Sequence, residues 1–326
     1  MQGKEASEQE TTAKCNVGID VGKDWLDIYV SPAGERLRVG NHAAGIRQLK
    51  RWLSRFDLGL VAIEATGKWH RQLHRNLAAT AIPVAIVNPF QARMFAKAKG
   101  ILAKTDRLDA CVLAAFAAVM SPTMRPPAPQ VLTELAELVT ARDSAVDEQT
   151  SLKNQLGTAQ SNFLKRQLQQ RIKRAENDIA ALEAEIIRRI RADQGLCRRY
   201  AILTSIPCIG PVSGATLIAC LAEIGSMTVK QVGMLAGLAP IADQSGKRDG
   251  ARVVYGGRTK IRRVLYLAAL SAVQFNADMK AFYGRLIANG KAPKAALIAV
   301  ARKLAILANT LIAQDRLWEP RPVKYA

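Results

Sequence analysis

Aromatic side chains make up only 5% of this 326-residue chain. That scarcity argues against a protein that grips single-stranded nucleic acid mainly by stacking bases on aromatic platforms, so Trp25, Trp52 and Trp69 read as packing residues. Histidine is scarcer still, with 3 residues. His70 and His74 stand four apart on one helical face, but no third ligand lies near them in sequence, and a solvated face is the simpler reading. The 5 cysteines (Cys15, Cys111, Cys197, Cys208, Cys220) are odd in number and never spaced as C-x-x-C. This excludes a disulfide framework or a zinc-thiolate site and fits reduced thiols in a cytoplasm. No run approaches the roughly 20 apolar residues of a spanning helix; the most apolar region, Ala295 to Ala313, is interrupted by Arg302 and Lys303. Met1 to Lys14 is polar, without the apolar core of a signal peptide, and reads as a disordered tail. Negative charge is also short: 27 Asp and Glu against 47 Lys and Arg leave a formal net charge of +20. Such a balance predicts a polyanionic partner, DNA or RNA ahead of an anionic membrane surface.

Against this background the pattern predicts an α/β domain followed by helical segments. Val17 to Asp20 and Leu26 to Val30 are strand-like and joined through Gly22, as in a hairpin or meander. Ile46, Leu49 and Leu53 repeat at helical spacing within 42–56. Leu60 to Glu64 is a continuously apolar, buried strand. A helix over Gly67 to Ala79, a strand over Ile82 to Val87 stopped by Asn88-Pro89, and a helix over Thr105 to Met120 with Thr105 as N-cap complete the region. The order β-β-β-α-β-α-β-α resembles a ribonuclease-H-like domain over 15–120. A linker with prolines at 122, 126, 127 and 129 spans 121–131, and no proline follows until Pro207. Inside that gap Leu168, Ile172, Ala175, Ile179, Leu182, Ile186 and Ile190 form a heptad seam. An antiparallel hairpin, an intermolecular coiled coil and one long packed helix all fit this seam, which places a helical segment at 132–200. A mostly helical unit over 201–318 and a polar tail over 319–326 follow.

Four acids stand where chemistry would need them. Asp20 and Glu64 end apolar strands, and Asp106 and Asp109 lie three apart at the start of a helix, so that they share a face. Two strand ends and one helix face can meet at one point. Carboxylates without His or Cys suit hard cations, Mg²⁺ or Mn²⁺. Such ions activate a nucleophile and stabilise the leaving oxygen of a phosphodiester. Any one of these acids alone reads equally well as a solvated strand end or a helix-dipole partner.

Two C-terminal motifs add to the picture. Ile206-Pro207-Cys208-Ile209-Gly210-Pro211 resembles a helix-hairpin-helix turn, whose backbone N–H groups hold a phosphate. Cys208 stands where that pattern has Gly; Gly210 remains as the candidate contact, and a plain helix–helix turn fits as well. Ser245-Gly246 then opens a cation-rich stretch containing Lys247, Arg248, Arg252, Arg258, Lys260, Arg262 and Arg263. Ser245 is placed like a nucleophile facing a phosphate, though a serine hydroxyl needs a base or a metal to activate it. A turn serine before a basic, phosphate-binding loop is the alternative.

Together these residues resemble the insertion-sequence-one-ten family of DEDD transposases, which includes the pilin-gene invertases and the RNA-guided bridge recombinases. The likeness is carried by Gly18-Ile19-Asp20, Ile63-Glu64-Ala65-Thr66-Gly67, Val87-Asn88-Pro89 and the segment from Lys104 to Ala110. Towards the C-terminus it continues in Ile206 to Gly210, Gly237-Leu238-Ala239-Pro240, Ser245-Gly246 and Arg263-Val264-Leu265-Tyr266. Gly256-Gly257-Arg258 is similar to the variant of one subgroup. The resemblance implies that Asp20, Glu64, Asp106 and Asp109 are the metal-binding acids of a RuvC-like domain, and that Ser245 forms a covalent phosphoserine with DNA. It further implies a structured noncoding guide RNA that pairs with donor and target DNA, so that base pairing reads sequence and the protein reads backbone shape. A homo-oligomer, dimer or tetramer, would hold the complex.

Three other readings compete. A RuvC-like junction nuclease would use the four acids with water as nucleophile. A non-catalytic nucleic-acid-binding protein would leave four carboxylates repelling phosphate. An actin-like ATPase or sugar kinase can share Gly18-Ile19-Asp20-Val21-Gly22, but no second Gly-rich phosphate loop follows.

Overall fold

The structure is a computed structural model and describes residues 14–103, 105–245 and 248–320. The side chains of 243–249 and 251 lie outside the description, as do the expected N-terminal tail up to residue 13 and the last residues of the C-terminal tail. The chain divides into two compact units, Met1–Pro127 and Ala128–Ala326, with the boundary inside the proline-rich stretch.

The first unit is built on a five-stranded mixed sheet in the order β3-β2-β1-β4-β5, from β1 (Cys15–Val21), β2 (Trp25–Ser31), β3 (Arg36–Gly40), β4 (Leu58–Glu64) and β5 (Val84–Val87). β1 runs antiparallel to β2 and parallel to β4, and β4 runs parallel to β5. This mixed α/β arrangement is consistent with a ribonuclease-H-like domain. Alternation along the strands splits the sheet into two faces. Val17, Ile19, Val21, Leu26, Ile28 and Val30 bury one face against Ile46, Leu49 and Leu53 of α1 (Ala43–Leu53) and Leu73 and Leu77 of α2 (His70–Ala78). The intervening residues face α4 (Asp106–Met120), where Ala62 and Val87 pack against Leu113, Phe116 and Ala117.

Gly18 sets how closely α4 approaches. A Cβ at this position would stand 2.0 Å from the Ala110 carbonyl oxygen and 2.4 Å from the Ala114 nitrogen. The helix backbone therefore lies directly on the central strand, which no other residue would permit. The elements follow the expected order with two differences. The helix expected from Gly67 begins at His70, and an additional helix, α3 (Pro89–Ala98), follows β5. Asn88-Pro89 ends the strand and also opens this helix: the Asn88 side chain accepts from the Phe90 amide and Pro89 occupies the first turn.

In the second unit, α5 (Gln130–Thr158) and α6 (Asn162–Ala192) fold back on each other. The pairs Arg189–Glu134, Arg142–Glu183 and Arg171–Glu148 run in opposite sequence directions, so the hairpin is antiparallel. Leu168, Ile172, Ala175, Ile186 and Ile190 of the heptad seam are buried; Ile179 and Leu182 are only half-buried. The base of the hairpin shares one core with α7 (Gln194–Ser205), α8 (Pro211–Cys220), α9 (Val229–Leu235), α10 (Thr259–Phe275), α11 (Ala277–Ala288) and α12 (Pro293–Ala313). Among the described residues α12 alone is long and apolar enough to cross a membrane. Its Val300, Ala301, Leu304, Ala305, Ala308 and Leu311 instead lie buried in this core.

Candidate active site

The sheet register brings the first acids together. Ile19 pairs with Ile63 across the parallel β1–β4 ladder, so the next residues, Asp20 and Glu64, emerge side by side at the strand ends. Both lie on the α4 face, two positions beyond Gly18 and Ala62. Because Gly18 lets α4 rest on β1, the first turn of the helix reaches the same place. Thr105 is its N-cap, accepting from the Leu108 amide, and Asp106 and Asp109 lie in the opening turn. Gly18, the two strand ends and one cap thus set the position of all four acids.

Their fields overlap at Asp20. Burial pushes the Asp20 carboxyl up from 3.8 to about 6, and the negative charges of Asp109, Glu64, Asp106 and Asp27 push in the same direction. The centre is thus short of positive charge. An all-oxygen donor set with excess negative charge fits a hard divalent cation. Among the described residues no three His, Cys, Asp or Glu side chains are grouped closely enough to hold a metal ion. Asp106, 68% exposed at its side chain, instead leans towards Arg38, with its Oδ2 3.4 Å from Nη2.

Sequence reading missed Asp27 and Arg38. Asp27 lies directly across β2 from Asp20, and Arg38 directly across β3 from Asp27. The row Asp20–Asp27–Arg38 therefore crosses three strands. Asp27 is 8% exposed, and Arg38 holds it with a two-pronged pair, Nε to Oδ1 at 2.8 Å and Nη2 to Oδ2 at 2.7 Å. This row is invisible without the strand register.

The histidines are not on a solvated face. His74 is buried with its Nε2 3.0 Å from the Arg125 carbonyl oxygen, so that nitrogen donates; burial lowers the pKa of both His70 and His74. Trp52 packs edge-on against Phe56 at 5.1 Å, whereas Trp25 is exposed.

Ser245 lies on a β-hairpin, not in the open loop that its composition suggested. β6 (Pro240–Ser245) pairs antiparallel with β7 (Arg248–Val254), and Ser245 is opposite Arg248. Gly246 and Lys247, between the strands, lie outside the described residues. The hairpin is followed by a tight backbone crossing: Gly237, Gly256 and Gly257 all have positive φ, and a Cβ on Gly257 would stand 2.3 Å from the Gly237 nitrogen.

The basic residues around it divide. Arg258 pairs with both Glu223 carboxylate oxygens at 2.6 and 2.7 Å and donates to the Cys220 carbonyl. Lys260 reaches Asp143 and Thr140, each at 3.0 Å, and Arg262 donates to the Gly237 and Gly256 carbonyls. Arg263 is 3.7 Å from Asp147. Arg252 is exposed.

The stretch that resembles a helix-hairpin-helix is a turn between α7 and α8. Gly210 is the N-cap of α8 with Pro211 in its first turn, and Ile206 and Ile209 are buried beneath. Cys208 takes φ +75°, the left-handed conformation that Gly adopts without strain.

A DEDD transposase family profile matches residues 17–162, which spans all four acids, and the profile of the transposase IS116/IS110/IS902 family matches residues 200–284, which includes Ser245. The chain is 27% identical over 324 residues to the pilin gene-inverting protein of Moraxella bovis, covering 95% of this chain and 99% of that protein. The corresponding protein of Moraxella lacunata matches to the same extent. The insertion element IS110 43.6 kDa protein of Streptomyces coelicolor is 26% identical over 200 residues, covering 61% of this chain and 47% of that protein.

Proposed function

Because this chain belongs to the IS110 family of transposases and is an enzyme acting on DNA, we propose that it cuts and rejoins DNA by transesterification, with Asp20, Glu64, Asp106 and Asp109 holding a divalent cation and Ser245 as the nucleophile. The observation that carries this reading is the β1–β4 register, which ends both strands in an acid on the face covered by α4, whose first turn holds Asp106 and Asp109. DEDD transposases typically use a divalent metal, and the all-oxygen donors here suit Mg²⁺ or Mn²⁺. When bound, the cation would neutralise the carboxylates and polarise the phosphodiester. Asp106 would turn from Arg38 towards the ion.

Ser245 Oγ attacks phosphorus, the P–O3′ bond breaks, and the hydroxyl proton ends on the departing 3′ oxygen. The products are a phosphoserine ester and a free 3′-hydroxyl. Attack by another 3′-hydroxyl reverses the step onto a new partner, so bond energy is conserved without ATP. The acids belong to the first unit and Ser245 to the second. A noncoding RNA paired with donor and target DNA supplies sequence choice, and the +20 charge suits a protein carrying both nucleic acids. Gly210 at the α8 N-cap, with Lys247, Arg248, Arg252, Lys260, Arg262 and Arg263, forms the candidate backbone-contacting set, while Arg258 is held by Glu223. The pilin gene-inverting relatives, by their name, invert a DNA segment, which is also a cut-and-rejoin reaction.

Denaturing electrophoresis of end-labelled DNA with the protein, with and without protease, tests this reading. Wild type should give a protease-sensitive adduct and Ser245→Ala none. Cleavage without any adduct in wild type would move the nucleophile to water and favour the junction-nuclease chemistry.

A further inference from the structure

Beside the acidic centre, on the β3 edge of the sheet, is a cavity of about 310 Å³ walled by Arg36, Arg38, Arg107 and Asp27. We infer that it is a phosphate subsite, which holds the backbone of the DNA strand beside the phosphodiester presented to the acids. The inference rests on the DNA-cutting role proposed above and adds a binding site to it.

The cations converge from two elements. Arg36 and Arg38 stand two apart on β3 and so project from the same face, and Arg107 comes from the first turn of α4. Two of them are fixed in advance. Arg36 lies 4.9 Å from the Tyr29 ring centre and donates to the Arg107 carbonyl at 3.1 Å, with Cys111 Sγ 3.0 Å from its other nitrogen. Arg38 is held by Asp27. A guanidinium whose rotamer is already set loses little entropy when its fork meets a phosphate.

Charge placement argues for a ligand and against a purely structural role. Asp27 offsets only one of the three cations in the wall. Arg107 stands in the opening turn of α4, where the helix dipole disfavours a positive charge. A strand entering a site with five carboxylates is repelled unless positive charge receives its flanking phosphates. Asp20 and Arg38 are two strand spacings apart, roughly 10 Å. That separation places Arg38 within reach of a neighbouring phosphate of the same strand.

The test is the salt dependence of binding by the full chain, in EDTA, to a labelled duplex and, separately, to a labelled single-stranded RNA. Arg38 is left in place because it holds Asp27. Arg36→Gln with Arg107→Gln should reduce the magnitude of the log-affinity against log-salt slope for DNA by about 1.4 to 1.8, and Arg107→Gln alone by about half that. Arg107 is exposed, so its single variant should keep the wild-type melting temperature. Arg36→Lys with Arg107→Lys should keep most of the slope. An unchanged DNA slope in both Gln variants overturns the subsite, and so does a loss confined to RNA. Because these measurements exclude divalent ions, they stand apart from the metal reading, which Mn²⁺ binding to the same variants tests: binding there should be no weaker than wild type.

Discussion

At Asp20 burial and the charges of four neighbouring acids act on one carboxyl group. Its folded-state pKa is raised from 3.8 to about 6, so between those values the folded state binds more protons than the unfolded chain, and stability falls as pH rises through the window. Asp20→Asn removes the charge and keeps the shape. In EDTA the variant should melt at the same temperature as wild type at pH 4 and higher than wild type at pH 8, measured by differential scanning fluorimetry. An equal melting temperature at pH 8 would mean that Asp20 bears no net repulsion. Cys208 gives a second residue-scale test. At φ +75° an L side chain costs about 1–2 kcal/mol. Cys208→Gly should therefore be more stable than Cys208→Ala by about 1 kcal/mol in urea unfolding, the reverse of the order in a helix interior. Equal stability would place the turn's strain elsewhere.

At the scale of elements, the placement of the four acids depends on how closely α4 lies on β1. Gly18→Ala would drive a methyl group into the Ala110 carbonyl and must displace the helix. We expect a loss of about 1–3 kcal/mol or more, and a fall in DNA cleavage larger than the stability loss explains, because Asp106 and Asp109 move with the helix. Thermal melting together with cleavage under conditions where the variant is fully folded separates the two effects; wild-type cleavage would show that the helix can shift without dispersing the acids. Much of this geometry was legible in the sequence. Apolar runs ending in Asp20 and Glu64, and a Thr cap followed by two acids three apart, state the strands, the helix and the acids they carry in local terms. What escaped was non-local or polar. Asp27 becomes part of the site only through a three-strand register. The β6–β7 hairpin has too little apolar alternation, in Pro-Ile-Ala-Asp-Gln-Ser, to announce itself as a strand.

At the scale of the whole chain, the large positive charge is unevenly available. Counting cations near Ser245 suggested seven equivalent phosphate contacts, but Arg258 is engaged with Glu223, 35 residues away in sequence. Partners at that separation cannot be read from a local charge run. Arg252→Gln should lower the DNA salt slope by about 0.7–0.9. Arg258→Gln should instead lower the melting temperature, since it leaves Glu223 without its two-pronged partner, and should change the slope less than Arg252→Gln does. Equal slope changes in the two variants would show that Arg258 turns to DNA on binding. The proposed chemistry requires four acids from two strands and one helix to act as one cation site. The most direct measurement is a Mn²⁺ titration of the full-length protein at pH 8, in the absence of nucleic acid, followed by electron paramagnetic resonance of the free ion. Wild type should take up Mn²⁺, and Asp20→Asn, Glu64→Gln and Asp109→Asn should each weaken that uptake by tenfold or more while remaining folded. Uptake at wild-type affinity in all three folded variants would contradict the account.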